Sequence, residues 1–241
     1  VLIDVCKDVQ FASTDFDYDA IKVRLPGYQP RVRGVDQLIQ RAAAYINNAK
    51  RPVILAGHGI VLAEAHHELL VLAEKGRIPV STTLLGIGGM PESHPLNLRM
   101  MGMHGEAWVN KAIQESDLLI AMGMRFDDRV TGKLSTYASQ AKKIHMEIDT
   151  SEINKNVKVD LALLGDLTDT LERLLPHLEG SRHDAWISHI DEMRGDSAVR
   201  DIQNLPDYGH LYAAHVIHDL WRMTSGNAII VSDVGQNQMW A

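Results

Sequence analysis

Arg51-Pro52-Val53-Ile54-Leu55-Ala56-Gly57-His58-Gly59-Ile60 is the stretch that decides how this chain folds. Arg51-Pro52 breaks a helical pattern, and Val53 to Ala56 is a short continuous apolar run, the mark of a strand buried on both faces. The pattern it breaks covers Val35 to Asn48, where Val35, Leu38, Ile39, Ala42, Ala43 and Ile46 keep the i, i+3, i+4, i+7 spacing of an amphipathic helix. Beyond the glycine pair a second helix is expected from about Val61 to Lys75, closed by Gly76 with Pro79 soon after. A strand over Pro79 to Thr82 follows, then a long loop rich in Gly, Met and Pro from Leu84 to Met103, and a helix near Glu106 to Glu115. Asp117 to Met122 and Lys143 to Ile148 read as further buried strands, and Leu167, Leu171, Leu174, Leu175 and Leu178 form one helical stripe. Strands alternating with helices predict an α/β fold, a doubly wound parallel sheet covered on both sides. In such sheets ligands bind outside the carboxyl ends of the strands, which singles out the loops after Ala56, Thr82, Met122, Ile148 and Leu164.

Composition narrows the functional classes. The 241 residues are 45% hydrophobic and 23% charged, and the formal net charge is −7. A negative balance with no basic run disfavours nucleic acid or an anionic membrane as the main partner. Cys6 is the only cysteine, so an internal disulfide and a multi-cysteine metal centre are excluded. No apolar run approaches the ~18 residues that span a bilayer, and the expectation is a soluble, cytoplasmic protein. The twelve histidines do not form a metal motif: His66 and His67 are adjacent and face different ways, and no His-Glu-x-x-His occurs. Gly-x-Ser-x-Gly is also absent.

The loops carry the chemistry. Gly57 and Gly59, between a strand and a helix, suit either a pyrophosphate at a helix N-terminus or simply a tight turn. The third glycine of a dinucleotide fingerprint is missing, with Leu62 in its place, and the next strand ends in Ser81-Thr82-Thr83 rather than an acid. An ordinary nicotinamide dehydrogenase is therefore disfavoured. Gly123-Met124-Arg125-Phe126-Asp127-Asp128-Arg129-Val130-Thr131-Gly132 sets two arginines among carboxylates just past a buried strand. Arginine suits bidentate capture of phosphate or carboxylate, although a solvated loop with local ion pairs reads the same way. Met100, Met101 and Met103 around Gly102, before His104 and Gly105, fit core filling or packing against a flat ring. Glu147 and Asp149 end the next strand, where a carboxylate could hold ribose hydroxyls or, with Glu152, cap a helix. Gly165-Asp166 repeats that arrangement. Together these loops describe a long, anionic, multi-part ligand more readily than a small substrate.

From about Gly180 the sequence turns polar, and a surface helix and linker are expected there, with a boundary near Asp207 to His210. Val1 to Val5 reads as a strand already under way, and Asn227 to Asp233 as an apolar strand. Both ends look cut, so the chain is expected to hold one whole domain between pieces of two others.

Four segments resemble the large catalytic subunit of the acetolactate synthase (acetohydroxyacid synthase) family. They are Ser81 to Gly88, Met101-Gly102-Met103-His104-Gly105, Gly123 to Gly132, and Asp233-Val234-Gly235-Gln236-Asn237-Gln238-Met239-Trp240-Ala241. The opening Val1 to Gln10 is similar to the closing strand of that family's N-terminal domain. The resemblance implies a Rossmann-like central domain of a thiamine diphosphate enzyme. Its parts would be 1–12 as the end of a pyrimidine-binding domain, 13–34 as linker, 35–180 as an FAD-binding domain, 181–207 as linker helix and 208–241 as the start of a diphosphate-binding domain. It implies decarboxylation of pyruvate and joining of the remainder to a second pyruvate or 2-ketobutyrate, the opening of branched-chain amino-acid synthesis. Thiamine diphosphate, Mg2+ and a non-consumed FAD are the implied cofactors, with the magnesium ligands and the activating glutamate outside this chain. As given, the chain alone is expected to be inactive. A homodimer or larger assembly and a regulatory small subunit are the implied partners.

Carried over by motif, Gly57, His58 and Gly59 would approach the FAD phosphates. Thr83, Leu84, Met101, Gly102, His104, Gly123, Arg125, Asp127, Val130, Glu147, Ile148 and Asp166 would line the rest. Arg129 would read the second ketoacid's carboxylate, with Met103 beside it, and Gln236 and Asn237 would sit at the diphosphate of thiamine diphosphate. The family often has histidine where this chain has Asn237, and proline where it has Cys6. Glyoxylate carboligase or a similar thiamine enzyme is the neighbouring alternative. A plain nucleotide-binding module is the alternative of another class.

Overall fold

Pro52–Ala56 (β1) and Leu118–Met122 (β4) are buried at every position because the sheet they centre is covered on both faces. In the computed structural model, which describes residues 2–20, 22, 33–180, 182–195 and 208–240, alternate residues of these strands enter different cores. Ile54, Ala56, Leu118, Ile120 and Met122 face one cluster, and Val53, Leu55, Leu119 and Ala121 face the other. The remaining strands are Val80–Thr82 (β2), Asn97–Met100 (β3), Lys142–Glu147 (β5) and Leu161–Leu164 (β6). All pair in parallel in the order β3-β2-β1-β4-β5-β6. The order reverses between β1 and β4, the switch point at which such sheets hold their ligands. The expected doubly wound plan is the observed one.

Asp36–Asn48 (α2), His66–Gly76 (α4) and Leu167–Leu174 (α7) cover the first face, through residues such as Ile39, Leu72 and Leu171. Ala107–Glu115 (α5) and Asp184–Arg194 (α8) cover the second. Polarity places α8 on the surface, yet Trp186 and Ile190 are buried in the second core, and Trp186 Nε1 donates to Pro52 O at 3.1 Å.

Several elements differ from expectation. The helix expected from Val61 to Lys75 is two helices, His58–Leu62 (α3) and α4, separated where Glu64 takes a left-handed φ of 53°. Thr168 Oγ1 donates to Ala63 O in that break, so a carbonyl outside the helical ladder has a partner. Gly76 ends α4, but the left-handed position is Arg77 (φ 48°), because Gly76 stays helical against the Ile78 side chain. The Leu84–Met103 loop contains the edge strand β3, hidden from pattern reading by a register shift against β2 and a left-handed Arg99. Asp128–Thr131 (α6) is a single helical turn inside the arginine loop.

The chain divides into two compact units, Val1–Pro30 and Arg31–Ala241. In the first, Lys7–Phe11 (α1) is helical, and its described residues are exposed. Residues 2–6 are not a strand, and neither are 227–233, because neither segment has a ladder partner among the described residues. Ala213–Thr224 (α9) and Gln236–Trp240 (α10) flank the second of these segments. Of the expected linkers, residues 21, 23–32 and 196–207 lie outside the described residues, as do Val1, Ser181 and Ala241.

Candidate functional site

Parallel strands all end at one edge of the sheet, so the loops that follow them gather there. A cavity of about 970 Å³ opens among them, with lining residues from beyond all six strands. Its floor is backbone. Gly57 N donates to Met122 O and Gly59 N to Gly123 O, both at 2.9 Å. A Cβ on Gly59 would stand 2.5 Å from Gly123 Cα, and one on Gly57 would stand 2.3 Å from Gly123 O. The glycine pair therefore exists because the β1 loop lies directly on the β4 loop. Those two amides are engaged by protein carbonyls.

One wall follows β2. Thr83 N donates to Ala56 O, and the His58 ring donates from Nδ1 to Leu85 O at 3.0 Å, tying this wall to the floor. Thr83, Leu84 and Leu85 line the cavity here. The opposite wall is the arginine loop. Asp127 caps α6 by accepting from Val130 N, and lies 3.6 Å from Arg125; Asp128 lies 3.6 Å from Arg129. Both guanidiniums are mostly exposed at the cavity rim, so these pairs contribute little to stability and leave the arginines able to meet an anion. The methionine loop is docked on α6. Met103 N donates to Arg129 O at 2.7 Å, and Gly102 (φ 95°) has Arg129 O only 2.4 Å from where a Cβ would be. Met101, Met103 and His104 reach the cavity from it.

The far end is acidic. Glu147 is buried, and its Oε1 accepts from Ile148 N (2.9 Å) and Asp149 N (3.2 Å). Behind it, His145 Nε2 donates to Met124 O at 2.8 Å and stands 3.9 Å from Glu147 Oε2. Burial lowers the His145 pKa, which keeps the ring neutral and the Nε2–H donor in place. Its buried Nδ1 has no hydrogen-bond partner among the described residues. Asp149 accepts from Ser151 N, and that hydrogen bond holds its carboxyl below the usual range. This is the capping half of the two readings of Asp149. Asp166 likewise caps α7 through Asp169 N.

Of the residues singled out from sequence, His58, Gly59, Thr83, Leu84, Met101, Met103, His104, Gly123, Arg125, Asp127, Arg129, Val130, Glu147, Ile148 and Asp166 line this one cavity. Gly57 and Gly102 lie behind the lining, in the backbone contacts just described. Gln236 and Asn237 are exposed on α10 and are not among the lining residues, whereas Val234 and Gln238 beside them are. The Asn237 amide donates to Asp233. Gly165, singled out with Asp166, also lines the cavity, whereas sequence reading gave no site role to Leu85 or Leu167, whose places come from loop geometry. That reading also missed Asn110, which holds Gly102 from α5.

A bare backbone floor, cationic groups at mid-rim and carboxylates at the far end suit an elongated ligand with an anionic centre and hydroxyl-bearing ends. The chain is 44% identical over 248 residues to a probable acetolactate synthase large subunit of Methanocaldococcus jannaschii, covering all of this chain and 42% of that one. It is 42% identical to acetolactate synthase large subunits of Corynebacterium glutamicum and Parasynechococcus marenigrum, again over the whole chain and 39% of each relative. It thus spans about two fifths of the length of these relatives. The family described as "Thiamine pyrophosphate enzyme, central domain" matches residues 39–174, which hold all six strands and most of the cavity lining. By fold, site and this match, the chain belongs to the thiamine pyrophosphate enzyme family and carries its central domain.

Proposed function

We propose that the protein to which this chain belongs is an acetolactate synthase large subunit, and that the cavity holds FAD. The enzyme would decarboxylate pyruvate and join the remaining two-carbon unit to a second pyruvate or to 2-ketobutyrate. The observation that carries the ligand assignment is the reach of one groove across six strand ends. Five inter-strand intervals of ~4.8 Å make roughly 24 Å, far more than a three-carbon ketoacid fills. FAD suits that span. Its pyrophosphate would cross the Gly59–Gly123 floor within reach of Arg125, a ribose would meet the carboxylates of Glu147 and Asp166, and the flat ring would pack between Met101 and Leu84. Since the Gly57 and Gly59 amides are engaged, arginine rather than these amides would be the main phosphate partner. FAD here would serve as a structural ligand that is not consumed.

Thiamine pyrophosphate, when bound with Mg2+, supplies the electron sink for decarboxylation. Gln236 and Asn237 would meet its diphosphate, with the magnesium ligands in sequence beyond this chain. Asn237 offers hydrogen bonds but no proton near neutral pH. Arg129 would hold the second ketoacid by its carboxylate, a task for a planar donor pair that lysine does less well. Residues 35–180 would form the FAD-binding domain, between the end of a pyrimidine-binding domain (1–12) and the start of a diphosphate-binding domain (208–241). A homodimer or larger assembly, a regulatory subunit and a cytoplasmic location belong to the same proposal.

The test is made on the full-length enzyme with pyruvate, thiamine pyrophosphate, Mg2+ and FAD. Acetolactate, converted by acid to acetoin, is the expected product. Consumption of glyoxylate without acetolactate would favour a glyoxylate carboligase instead. Flavin reduced in step with product would contradict a structural FAD and favour an electron-transfer flavoprotein. Arg129→Ala is expected to lower kcat/KM for ligation by about 10- to 100-fold, the loss of a charge-assisted contact of ~1.5–3 kcal/mol. FAD content should stay within about twofold. An unchanged preference between second ketoacids in competition would contradict the role of Arg129.

A further inference from the structure

Met103 and Arg129 belong to two short loops that cannot hold themselves in place. The α6 turn that carries Arg129 is four residues long, below the length at which a helix is stable on its own. The methionine loop joins it through Met103 N to Arg129 O at 2.7 Å and through the bare Cα of Gly102. The other side of Gly102 is held by one side chain. Asn110 Oδ1 accepts from Gly102 N at 2.9 Å, and Asn110 Nδ2 donates to Gly102 O at 2.8 Å. An amide is the side chain that offers a donor and an acceptor side by side, and only one orientation of it satisfies both atoms of the glycine.

Nothing in α5 itself calls for asparagine at this position. Asn110 N is already bonded to Glu106 O, so the helix closes its first turn without the side chain. Asparagine is also a weak helix former. The amide does not line the cavity. Its two hydrogen bonds therefore serve the loop that touches the cavity rather than the helix that carries them.

We infer that Asn110 is a positioning residue: it clamps Gly102 and thereby sets Met103 and the Arg129 turn where the second ketoacid is read. The inference rests on the ketoacid role proposed for Arg129. Removing the clamp leaves the floor proposed for the pyrophosphate, built from Gly59 and Gly123, untouched; Met101 is one contact among many of a long ligand, whereas Met103 and the Arg129 turn that orient substrate lose their anchor.

The experiment uses full-length enzyme reconstituted with thiamine pyrophosphate, Mg2+ and FAD, as wild type, Asn110→Ala and Asn110→Asp. Hydrogen exchange of the 100–105 segment reads the clamp without reference to activity, and should quicken in Asn110→Ala while β4 is unchanged. In pyruvate and 2-ketobutyrate competition, kcat/KM for the second ketoacid should fall about 10- to 100-fold, the scale of a small misplacement of a substrate-holding group. FAD content should stay within about twofold. Asn110→Asp supplies the control that a merely structural role would not pass. A protonated carboxyl presents Gly102 with the same donor and acceptor, and an ionised one turns an anion onto Gly102 O. Its deficit, in exchange as in ligation, should shrink as pH is lowered toward ~4, the ordinary aspartate range, whereas that of Asn110→Ala should not. Unchanged exchange, a loss of activity that tracks loss of FAD, or equal deficits of the two variants at every pH would overturn the inference. Wild-type enzyme that forms no acetolactate would overturn the functional reading instead. In that event exchange alone judges the clamp, faster exchange supporting it and unchanged exchange overturning it.

Discussion

His145, on β5, ties the loop after β4 to its own strand through the Nε2 bond to Met124 O, while burial keeps the ring uncharged. The consequence for stability has a definite sign. Its folded pKa lies below the ordinary 6.5, desolvation opposing the proton while Met124 O and the nearby Glu147 and Glu152 favour it. Between the lowered value and 6.5 the unfolded chain binds more protons, so this contribution is complete above ~6.5 and is lost as pH falls, by at most ~1.4 kcal/mol per pH unit. Urea unfolding at pH 7.5 and 5.5 should show a smaller drop for His145→Gln than for wild type, and equal drops would refute a neutral buried ring. Asp36, held low by its hydrogen bond to Arg173, titrates in a more acid window, below 3.8, and does not confuse the comparison. Individual residues were the most legible scale for the rim. Arg125, Arg129, Glu147 and Asp166 stand out as charges placed just after apolar runs. Asn110 and His145 were silent, because an amide inside a helix and a histidine inside a strand reveal their partners only once distant loops are brought together.

At the scale of elements, several site residues also terminate helices. Asp166 lines the cavity and caps α7, so its two roles need separating. Asp166→Ala should cost about 1 kcal/mol in denaturant unfolding, the usual value of a lost N-cap. Asp166→Ser keeps a capping oxygen and should stay within about 0.5 kcal/mol of wild type, yet lose FAD affinity, because the carboxylate is gone. If serine retained FAD as well as aspartate does, the carboxylate would have no ligand role. Long periodic elements were legible from sequence. The α2 stripe and the β1 and β4 runs carry enough apolar repetition to fix their type. The α3–α4 break was not legible, since it depends on a left-handed Glu64 and on Thr168 reaching Ala63 O from 105 residues away. β3 was hidden for the same kind of reason. Only four residues long, with a left-handed Arg99 inside, it is a strand because β2 offers it an edge.

For the whole molecule, alternation of strand and helix gave the sheet and its ligand edge, and polarity gave α8 as a surface helix but not its inward face. Trp186 and Ile190 complete the second core, and we propose that the central body extends through this helix. Trp186→Ala should lower the unfolding free energy by about 3–5 kcal/mol, a core-truncation cost. A loss under ~1 kcal/mol would mark α8 as an appendage. The segments at 2–6 and 227–233 mark the opposite limit, since an apolar run becomes a strand only where an edge awaits it. A different lesson lies in the contact of Gly59 with Gly123. Where main chain touches main chain there is nothing to exchange, so the groove's base offers an engineer no handle. Any retargeting of the groove away from the FAD proposed for it would have to be written in the surrounding ring of His58, Leu84, Arg125 and Glu147, with the underlying cross-brace left as it is.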